Sequence, residues 1–360
     1  MKRIAAAALL ATSVAACSSS APPSLPEPAP AFVIDADAIL RQAAGRYLRV
    51  AQQRDPYGGH PRFTEASGAW NVVPINEWTS GFFPGTLWQL AAHIPNDTLF
   101  EQAARWTAPL LRVPRGTYTH DLGFQYMSSF GMGYRLSENE MYRREAVAAA
   151  RLLAARFDPE VGAIKSWNWT EPARPFPVIV DNMMNLELLF WAARQPDGDR
   201  KWRDIAIRHA RTTAANHIRA DGGSFHVVVF DPADGRVIER STHQGHADST
   251  TWARGQAWLI YGFTMAYRET GEPEFLTTAQ RVADYFVAHL PQDGVPCWDF
   301  QAPGCPATAK RDASAAAIAA SGMLALGGKY RATAQRILAT LVSPEYLADS
   351  GDALLKHAVG

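Results

Sequence analysis

Two kinds of helical segment alternate along this chain, and that alternation is the feature that most constrains its fold. Residues 97–113 and 138–157 each carry a charged face and an apolar face, as outer helices of a layered protein do. Residues 121–136 and 250–270 are instead dense in Gly, Ser, Ala and aromatic side chains, a composition that suits close packing on all sides. The first kind therefore predicts outer helices, and the second kind predicts inner helices.

Helical periodicity predicts about twelve segments in all. They begin near Asp35, Thr79, Asp97, Asp121, Glu138, Asp181, Asp199, Thr250, Pro273, Asp312, Lys329 and Asp352. Many of these starting residues are Asp or Thr and one is Pro, types that are favoured at helix starts. The loops before the segments that start near Thr79, Asp121, Asp181, Thr250 and Asp312 are mostly long and rich in Trp, Pro, Gly and His, whereas the loops after them are very short.

Repeated helical hairpins with alternating loop lengths predict an all-α (α/α)6 barrel, a closed toroid of six hairpins in two concentric layers. The long loops would then all emerge at one end of the inner ring. An open helical solenoid is the alternative, but it would not place unusual residues at the start of every second helix. One segment breaks the pattern: residues 223–242 predict a β-hairpin that turns at "DPADG" and is inserted at the same mouth. The catalytic domain is expected to span residues 34–360.

The first residues have the pattern of an export signal rather than of a folded segment. Residues 1–17 have a basic start, an apolar stretch and "VAAC", which resembles a bacterial lipobox with Cys17 as the lipidated residue. An ordinary secretory signal that ends near Ala16 is the alternative. Residues 18–33 are a Pro/Ser-rich linker. We expect an exported lipoprotein of the outer membrane that faces the periplasm, and no later segment is long and apolar enough to span a membrane.

Charge, cysteine content and histidine spacing bear on three kinds of site: a nucleic-acid surface, a disulfide and a metal site. The 35 basic and 35 acidic residues give zero formal net charge, so no bulk bias toward nucleic acid is present. Cys297 and Cys305 could close a small loop in an oxidising compartment, with two free buried thiols as the alternative. His243 and His246 lack a third well-placed ligand, so no metal site is predicted.

The predicted starts of the inner helices and the loops beside them collect the chemically active residues. They are Trp78, His120, Asp121, Trp167, Trp169, Asp181, Asn182, His243, Gln244, His246, Asp248, Trp252, Arg254, Trp258, Trp298 and Asp299. Indole faces stack on sugar rings, and paired carboxylates carry out acid–base work at glycosidic centres. The pattern indicates a carbohydrate site, although an Asp at a helix start is more often a cap and a Trp is more often part of a core.

Two residues pose a specific question. Asp181 stands at the start of an otherwise apolar helix, where it is either a cap or a working group. Arg254 lies in a segment nearly free of other charges, and an unpaired guanidinium there is costly, so it requires an anionic partner. A carboxylated substrate or a nearby Asp would meet that requirement equally well.

The motifs "NEWTSGFFPG", "HDLGF", "DNMMNLELLFWAA", "HQGHADSTTWARGQAW", "PCWDF" and "DASAAAIAASGML" occur in the order found in unsaturated glucuronyl hydrolases, glycoside hydrolase family 88. The resemblance runs from about residue 35 to the C-terminus. It implies an (α/α)6 barrel that acts on lyase-generated oligosaccharides with a 4,5-unsaturated uronic acid at the non-reducing end. It also implies hydration of the C4–C5 vinyl ether, with no metal and no organic cofactor.

The resemblance assigns roles residue by residue. Asp181 of "DNMMN" should protonate C4 and help activate the water that adds at C5, and Asp121 of "HDLGF" is the second essential carboxylate. The implied substrate-binding residues are Trp78, His120, Trp167, His226, His243, Gln244, Thr250, Arg254 and Trp258, with Thr250 at a position where the family often has Ser. A helix N-terminus lowers the pKa of Asp181 and a nearby Asp121 anion raises it, and a general acid requires that the second effect prevail.

Three alternatives stay open at this point. The related unsaturated rhamnogalacturonyl hydrolases share the fold and a similar hydration chemistry. A sugar 2-epimerase on the same barrel would rely on catalytic histidines rather than on paired Asp residues. An oligosaccharide-binding lipoprotein would use the same indoles but would not need two carboxylates at the rim. No motif bears on the parent polysaccharide, on sulfate tolerance or on the oligomeric state.

Overall fold

The computed structural model describes residues 34–113, 119–168 and 173–359. The predicted export signal at 1–17, the lipidated Cys17 and the linker at 18–33 lie outside the described residues. Within these ranges no helix is long and apolar enough to cross a membrane.

Eleven α-helices are present in the described part of the chain. They are α1 (Ala36–Gln53), α2 (Phe82–His93), α3 (Asp97–Thr107), α4 (Met132–Ser137), α5 (Glu140–Ala154), α6 (Asn182–Ala192), α7 (Lys201–Asn216), α8 (Ala253–Thr270), α9 (Pro273–Ala288), α10 (Ala313–Leu326) and α11 (Tyr330–Leu341). A π-helical segment, Gly123–Gly131, leads directly into α4, and short 3-10 turns lie at Pro56–Gly58 and Ala108–Arg112.

The helices alternate between two layers, as the sequence predicts. The inner elements α2, the π-helical segment, α6, α8 and α10 pack against one another in that order, and α3, α5, α7, α9 and α11 each pack outside the inner element that precedes them. Glycines permit the close approach of inner elements: a Cβ on Gly262 of α8 would lie 2.5 Å from the Cβ of Met183, at the start of α6. This architecture confirms the predicted (α/α)6 class.

The prediction of a helix that starts near Asp352 is wrong. Residues 352–359 are irregular, and Leu355 forms an isolated bridge with Leu347. The Asp352 carboxylate does not cap a helix, because it accepts a hydrogen bond from Trp70 Nε1 at 3.3 Å and lies 3.8 Å from Arg49 Nη2.

Seven short strands accompany the helices in the described residues. They are β1 (His60–Thr64), β2 (Trp70–Val73), β3 (Phe157–Asp158), β4 (Ala163–Ile164), β5 (Phe176–Ile179), β6 (Val227–Phe230) and β7 (Val237–Ser241). The predicted hairpin is confirmed, since β6 and β7 pair antiparallel. The sequence does not reveal that β5 joins them: it pairs antiparallel with β6 and makes a three-stranded sheet.

That third strand matters for the position of the site. β5 runs into the start of α6, and the backbone N–H of Val180 donates to the carbonyl of His226 at 3.2 Å. The sheet thereby places Asp181, at the end of one strand, beside His226, at the beginning of the next. The mouth of the barrel also carries a disulfide between Cys297 and Cys305, so the favoured interpretation of these cysteines is confirmed.

Candidate active site

Asp181 occupies the position before α6 but does not act as a helix cap. Its backbone is already helical, with φ −56° and ψ −27°, and its side chain makes no capping hydrogen bond. The residue is only 7% exposed, and its Oδ2 lies 3.5 Å from His226 Nε2. By contrast, Asp312 caps α10 through hydrogen bonds from two backbone N–H groups. The carboxylate of Asp181 is therefore available for chemistry rather than committed to the helix.

The His226 ring is held in one tautomer by the backbone beside it. Its Nδ1 lies 3.2 Å from the backbone N of His243 and 3.3 Å from that of Gln244. A backbone N–H can only donate, so Nδ1 must be the unprotonated acceptor, and the neutral ring carries its proton on Nε2. The protonated nitrogen is thus the one 3.5 Å from Asp181 Oδ2, a contact without hydrogen-bond geometry in this structure.

Asp121 is the second carboxylate of the site, with 13% of its side chain exposed, and it has its own histidine. His120 Nε2 lies 3.3 Å from Asp121 Oδ1, and the hydroxyl of Thr119 donates to the other carboxylate oxygen. Asp121 precedes the π-helical segment, which is tied to α6 because the Phe124 N–H donates to Asn185 Oδ1 at 2.8 Å. A Cβ on Gly123 would lie 2.5 Å from the Asn185 Cα, so only glycine permits this approach.

The environment moves the pKa values of the two carboxyls in opposite directions. Burial raises the pKa of Asp121, and the negative charge of Asp181 adds to that rise. Burial also acts to raise the pKa of Asp181, but the contact with His226 and the electrostatic interactions with His226, His120 and Arg254 outweigh it and hold the pKa below its usual range. The condition stated for a general acid at Asp181, a raised pKa in the free protein, is therefore not met.

Aromatic side chains line the mouth on two sides. Phe124 packs against Trp78 and Trp258, with ring centroids 5.4 and 5.2 Å apart. Trp258 is 5% exposed, and its Nε1 has no hydrogen-bond partner among the described residues. On the other side Trp167 packs edge-on against His243 at 5.3 Å. Trp78 and Trp167 are the partly exposed members of these groups, and an exposed indole face suits stacking on a sugar ring.

Two of the predicted substrate contacts already have protein partners. Arg254 Nη1 donates to Asp312 Oδ2 at 3.1 Å and to the carbonyl of Val359, and the guanidinium lies 4.7 Å from the Trp252 ring centroid. The nearby Asp is thus the anion that Arg254 required. Thr250 Oγ1 donates to Asp299 Oδ2 at 2.8 Å. Contacts of Arg254 and Thr250 with substrate stay predictions.

Sequence reasoning missed three contributors to this site. Thr119 hydrogen-bonds Asp121, Asn185 joins two inner elements, and Asp312 neutralises Arg254. Thr119 could have been found, since a hydroxyl two residues before a carboxylate often bonds locally. The partner of Arg254 lies 58 residues away along the chain, and no local pattern indicates it. Among the described residues no group of three or more His, Cys, Asp or Glu is arranged to hold a metal ion.

Comparison with known proteins gives a consistent set of relatives, although no family model matches the sequence. An unsaturated glucuronyl hydrolase of Formosa agariphila is 41% identical over 300 residues, which is 80% of this chain and 74% of the relative. A crystal structure of an unsaturated glucuronyl hydrolase specific for heparin is 40% identical, with a TM-score of 0.85 and 90% of each chain covered. The enzyme from Bacillus sp. GL1, described as responsible for the degradation of glycosaminoglycan, is 31% identical, with a TM-score of 0.83 and 89% of each chain covered.

Proposed function

The chain belongs to the family of unsaturated glucuronyl hydrolases, and from that premise we propose that it releases the 4,5-unsaturated uronic acid from the non-reducing end of lyase-generated, glycosaminoglycan-type oligosaccharides. The observation that carries the proposal is the pair of largely buried carboxylates Asp121 and Asp181, each beside a histidine, at an aromatic mouth. An oligosaccharide-binding protein would need the aromatic surfaces but not a pair of carboxylates whose pKa values are driven apart.

The reaction consumes one water molecule and does not begin at the anomeric carbon. Asp181 gives its proton to C4 of the double bond, and the oxygen of a water molecule adds to C5 while its proton passes to Asp181. The resulting C5 hemiketal opens to a ketone and frees the former ring oxygen on C1. C1 then expels the leaving sugar with its glycosidic oxygen and becomes an aldehyde.

The lowered pKa of free Asp181 fits this role because binding of the charged substrate makes the carboxyl take up a proton from solvent. The uronate is an anion, and a second negative charge in a closed, poorly solvated site raises the pKa of a neighbouring carboxyl. Asp181 would then take up a proton as the complex forms. The Nε2 of His226 lies 3.5 Å from the Asp181 carboxylate, close enough to hydrogen-bond it after a small shift, and the positive charge of Arg254 favours binding of the uronate.

The remaining site residues have positioning roles in this proposal. Trp78 and Trp167 stack on sugar rings, Trp258 offers an unpartnered N–H, and His243 and Gln244 orient substrate or water. Asp121, whose pKa is raised by burial, lies within electrostatic range of Asp181 and His120. It helps set the charge of the site in which the proton moves.

The function is tested with unsaturated disaccharides made by polysaccharide lyases. We expect ultraviolet absorbance of the conjugated double bond to disappear as the uronic acid is released. In heavy-oxygen water, with products trapped at once by reduction, the label should be found at C5. Label at C1 would overturn hydration, and a protein that binds the disaccharides without loss of absorbance would be a binding lipoprotein. Turnover of unsaturated rhamnogalacturonides alone would assign the chain to that related activity.

We also propose that the protein is anchored to a membrane, on the basis of "VAAC" and the Pro/Ser-rich stretch that follows it. Cys17 would carry the lipid, residues 18–33 would act as a tether, and the catalytic domain would face the periplasm. Replacing Cys17 with Ala should move the protein to the soluble fraction or block its processing, as judged by fractionation and metabolic labelling with a fatty acid. Unchanged membrane association and labelling would contradict lipidation at Cys17.

A further inference from the structure

Asp299 is a carboxylate that the reaction does not use, although it lies at the mouth of the barrel. It is completely buried. Its Oδ2 accepts hydrogen bonds from the backbone N–H of His246 at 3.0 Å and from Thr250 Oγ1 at 2.8 Å, while its Oδ1 accepts from the N–H of Gln301 at 2.9 Å. Among the described residues Asp299 has no Lys or Arg in ion-pair contact. A buried anion satisfied by neutral donors alone is costly and requires a reason.

The two groups that donate to Oδ2, His246 N–H and Thr250 Oγ1, belong to one loop, residues 242–250, which packs closely against the carboxylate. Thr242 Oγ1 accepts the N–H of Gly245 at 2.7 Å, and Asp248 Oδ1 accepts the N–H of Thr242 at 2.9 Å. A Cβ on Gly245 would lie 2.6 Å from Thr242 Oγ1 and 3.0 Å from Asp299 Oδ2. Only glycine at position 245 permits the loop to approach the Asp299 carboxylate this closely.

The same loop supplies the two backbone N–H groups that hold the His226 ring. These are the N–H groups of His243 and Gln244, which follow Thr242 directly. If the loop shifted, Nδ1 would lose both donors, and the ring could exchange its tautomer or rotate away from the carboxylate 3.5 Å from its Nε2. The orientation of the His226 ring, which faces Asp181, therefore depends on the contacts that the 242–250 loop makes with Asp299.

The backbone around Asp299 is itself held in place. Asp299 lies within the loop closed by the Cys297–Cys305 disulfide and bridges to Trp252 at the start of α8. The N–H of Phe300 donates to the carbonyl of Thr251 at 3.0 Å. The carboxylate is thus part of a fixed frame against which the 242–250 loop is positioned.

Resting on the proposed function, we infer that Asp299 is a positioning residue for the reaction. It holds the 242–250 loop so that the His226 ring keeps the tautomer that presents Nε2–H to Asp181. Asp299 itself touches neither of these two side chains. At metal sites, residues that orient a ligand through a hydrogen bond change activity by about 10–100-fold when they are removed, and we expect an effect of the same order for Asp299.

The test is Asp299→Asn, which keeps the shape but replaces one accepting oxygen with an amide NH2. The NH2 group cannot accept from a backbone N–H, so residue 299 loses its hydrogen bond either from the N–H of His246 in the 242–250 loop or from the N–H of Gln301. We expect kcat/KM on an unsaturated disaccharide to fall by about 10–100-fold. Gly245→Ala is the second variant: it pushes the loop off Asp299 while leaving the buried carboxylate intact, and the same kinetic loss is expected.

Asp293→Asn is the matched control. Asp293 lies in the same region but outside the disulfide loop, where it pairs with Arg311 at 3.1 Å and accepts from the Tyr346 hydroxyl at 3.1 Å. This variant should lower the melting temperature and leave kcat/KM within about threefold of wild type. Equal kinetic losses in Asp299→Asn and Asp293→Asn would reduce Asp299 to a residue that only stabilises the fold.

A double-mutant cycle with His226→Gln separates positioning from general structural damage. If Asp299 acts through His226, then Asp299→Asn should change kcat/KM by no more than about threefold in the His226→Gln background. Fully additive losses would overturn the inference. Wild-type turnover of the disaccharide, measured in the same assay, keeps this outcome separate from a failure of the proposed function, which would show as an inactive wild type.

Discussion

Asp181→Asn should lose about 10²–10⁴-fold in kcat while the protein folds normally, because the amide cannot carry the proton to C4. Normal folding is expected for a specific reason. Asp181 makes no capping hydrogen bond, so none is lost, and the Oδ1 of an asparagine can still accept from His226 Nε2–H. KM should change little, since the interaction removed is one made in the transition state.

The measurement is steady-state kinetics together with a thermal melt of both proteins. Asp197→Asn is the matched control, because it makes the same chemical change at an exposed carboxylate. Asp197 lies in the short loop between α6 and α7 and pairs with Arg143 of α5. It should keep wild-type kcat. An Asp181→Asn enzyme with near wild-type kcat would remove Asp181 from the chemistry and leave the proton donor to be sought at Asp121.

The pH profile of the wild type examines the same assignment from another side. The step needs the protonated form of Asp181, so the rate should fall as pH rises through the pKa of that carboxyl. In the free protein that pKa is held low by His226, His120 and Arg254, and the bound uronate raises it. The alkaline limb of kcat, which reports the complex, should therefore lie at higher pH than the alkaline limb of kcat/KM. Coincident limbs would mean that the substrate does not move the pKa of Asp181.

The layered helical fold could be predicted because it depends on local sequence patterns. Periodicity, starting residues and loop lengths repeat along the chain, and the expected starts from Asp35 to Lys329 lie within a few residues of the observed ones. The helix near Asp352 failed because its expected cap is used by Trp70 and Arg49, which lie far away in sequence. The third strand, β5, has only four residues, and its partner strand is about fifty residues away, so no local signal separates it from a loop.

The sequence indicated where most of the candidate site residues lie, but not the contacts among them. Residue type and position at the helix starts were enough to bring Asp121, Asp181 and their aromatic neighbours to one end of the barrel. The sign of the pKa shift at Asp181 was not accessible, because it depends on the ring orientation of His226, and that orientation is set by backbone donors from a different loop. Electrostatic balance among buried groups is decided by distances of a few ångströms, which sequence spacing does not encode.

The second large effect concerns the buried ion pair between Arg254 and Asp312. Their side chains are 6% and 0% exposed, with Nη1 and Oδ2 3.1 Å apart. Arg254→Leu leaves the Asp312 carboxylate buried without its cation, and breaking a buried pair in this way costs about 3–5 kcal/mol. We expect a loss of that size in the free energy of unfolding, measured by denaturant titration at neutral pH.

The charge can be removed from the other side without losing the helix cap. Asp312 uses Oδ1 to accept the N–H groups of Ser314 at 3.0 Å and Ala315 at 3.3 Å, and Oδ2 for Arg254. An asparagine retains the capping oxygen. The double variant Arg254→Leu with Asp312→Asn should therefore recover most of the stability that the single Arg254→Leu variant loses. If the double variant is as unstable as the single one, the unpaired charge is not the cause of the loss.

Kinetics of the same double variant then test whether Arg254 also serves the substrate. Its structural partner is accounted for once both charges are gone, so any remaining defect belongs to the field or the contact that the guanidinium gives the uronate. We expect KM to stay raised although stability has returned, because the positive charge that favours an anion at the site is missing. Wild-type KM in a stable double variant would confine Arg254 to its ion pair with Asp312 and leave the uronate to Trp258, Gln244 and the other polar groups of the mouth.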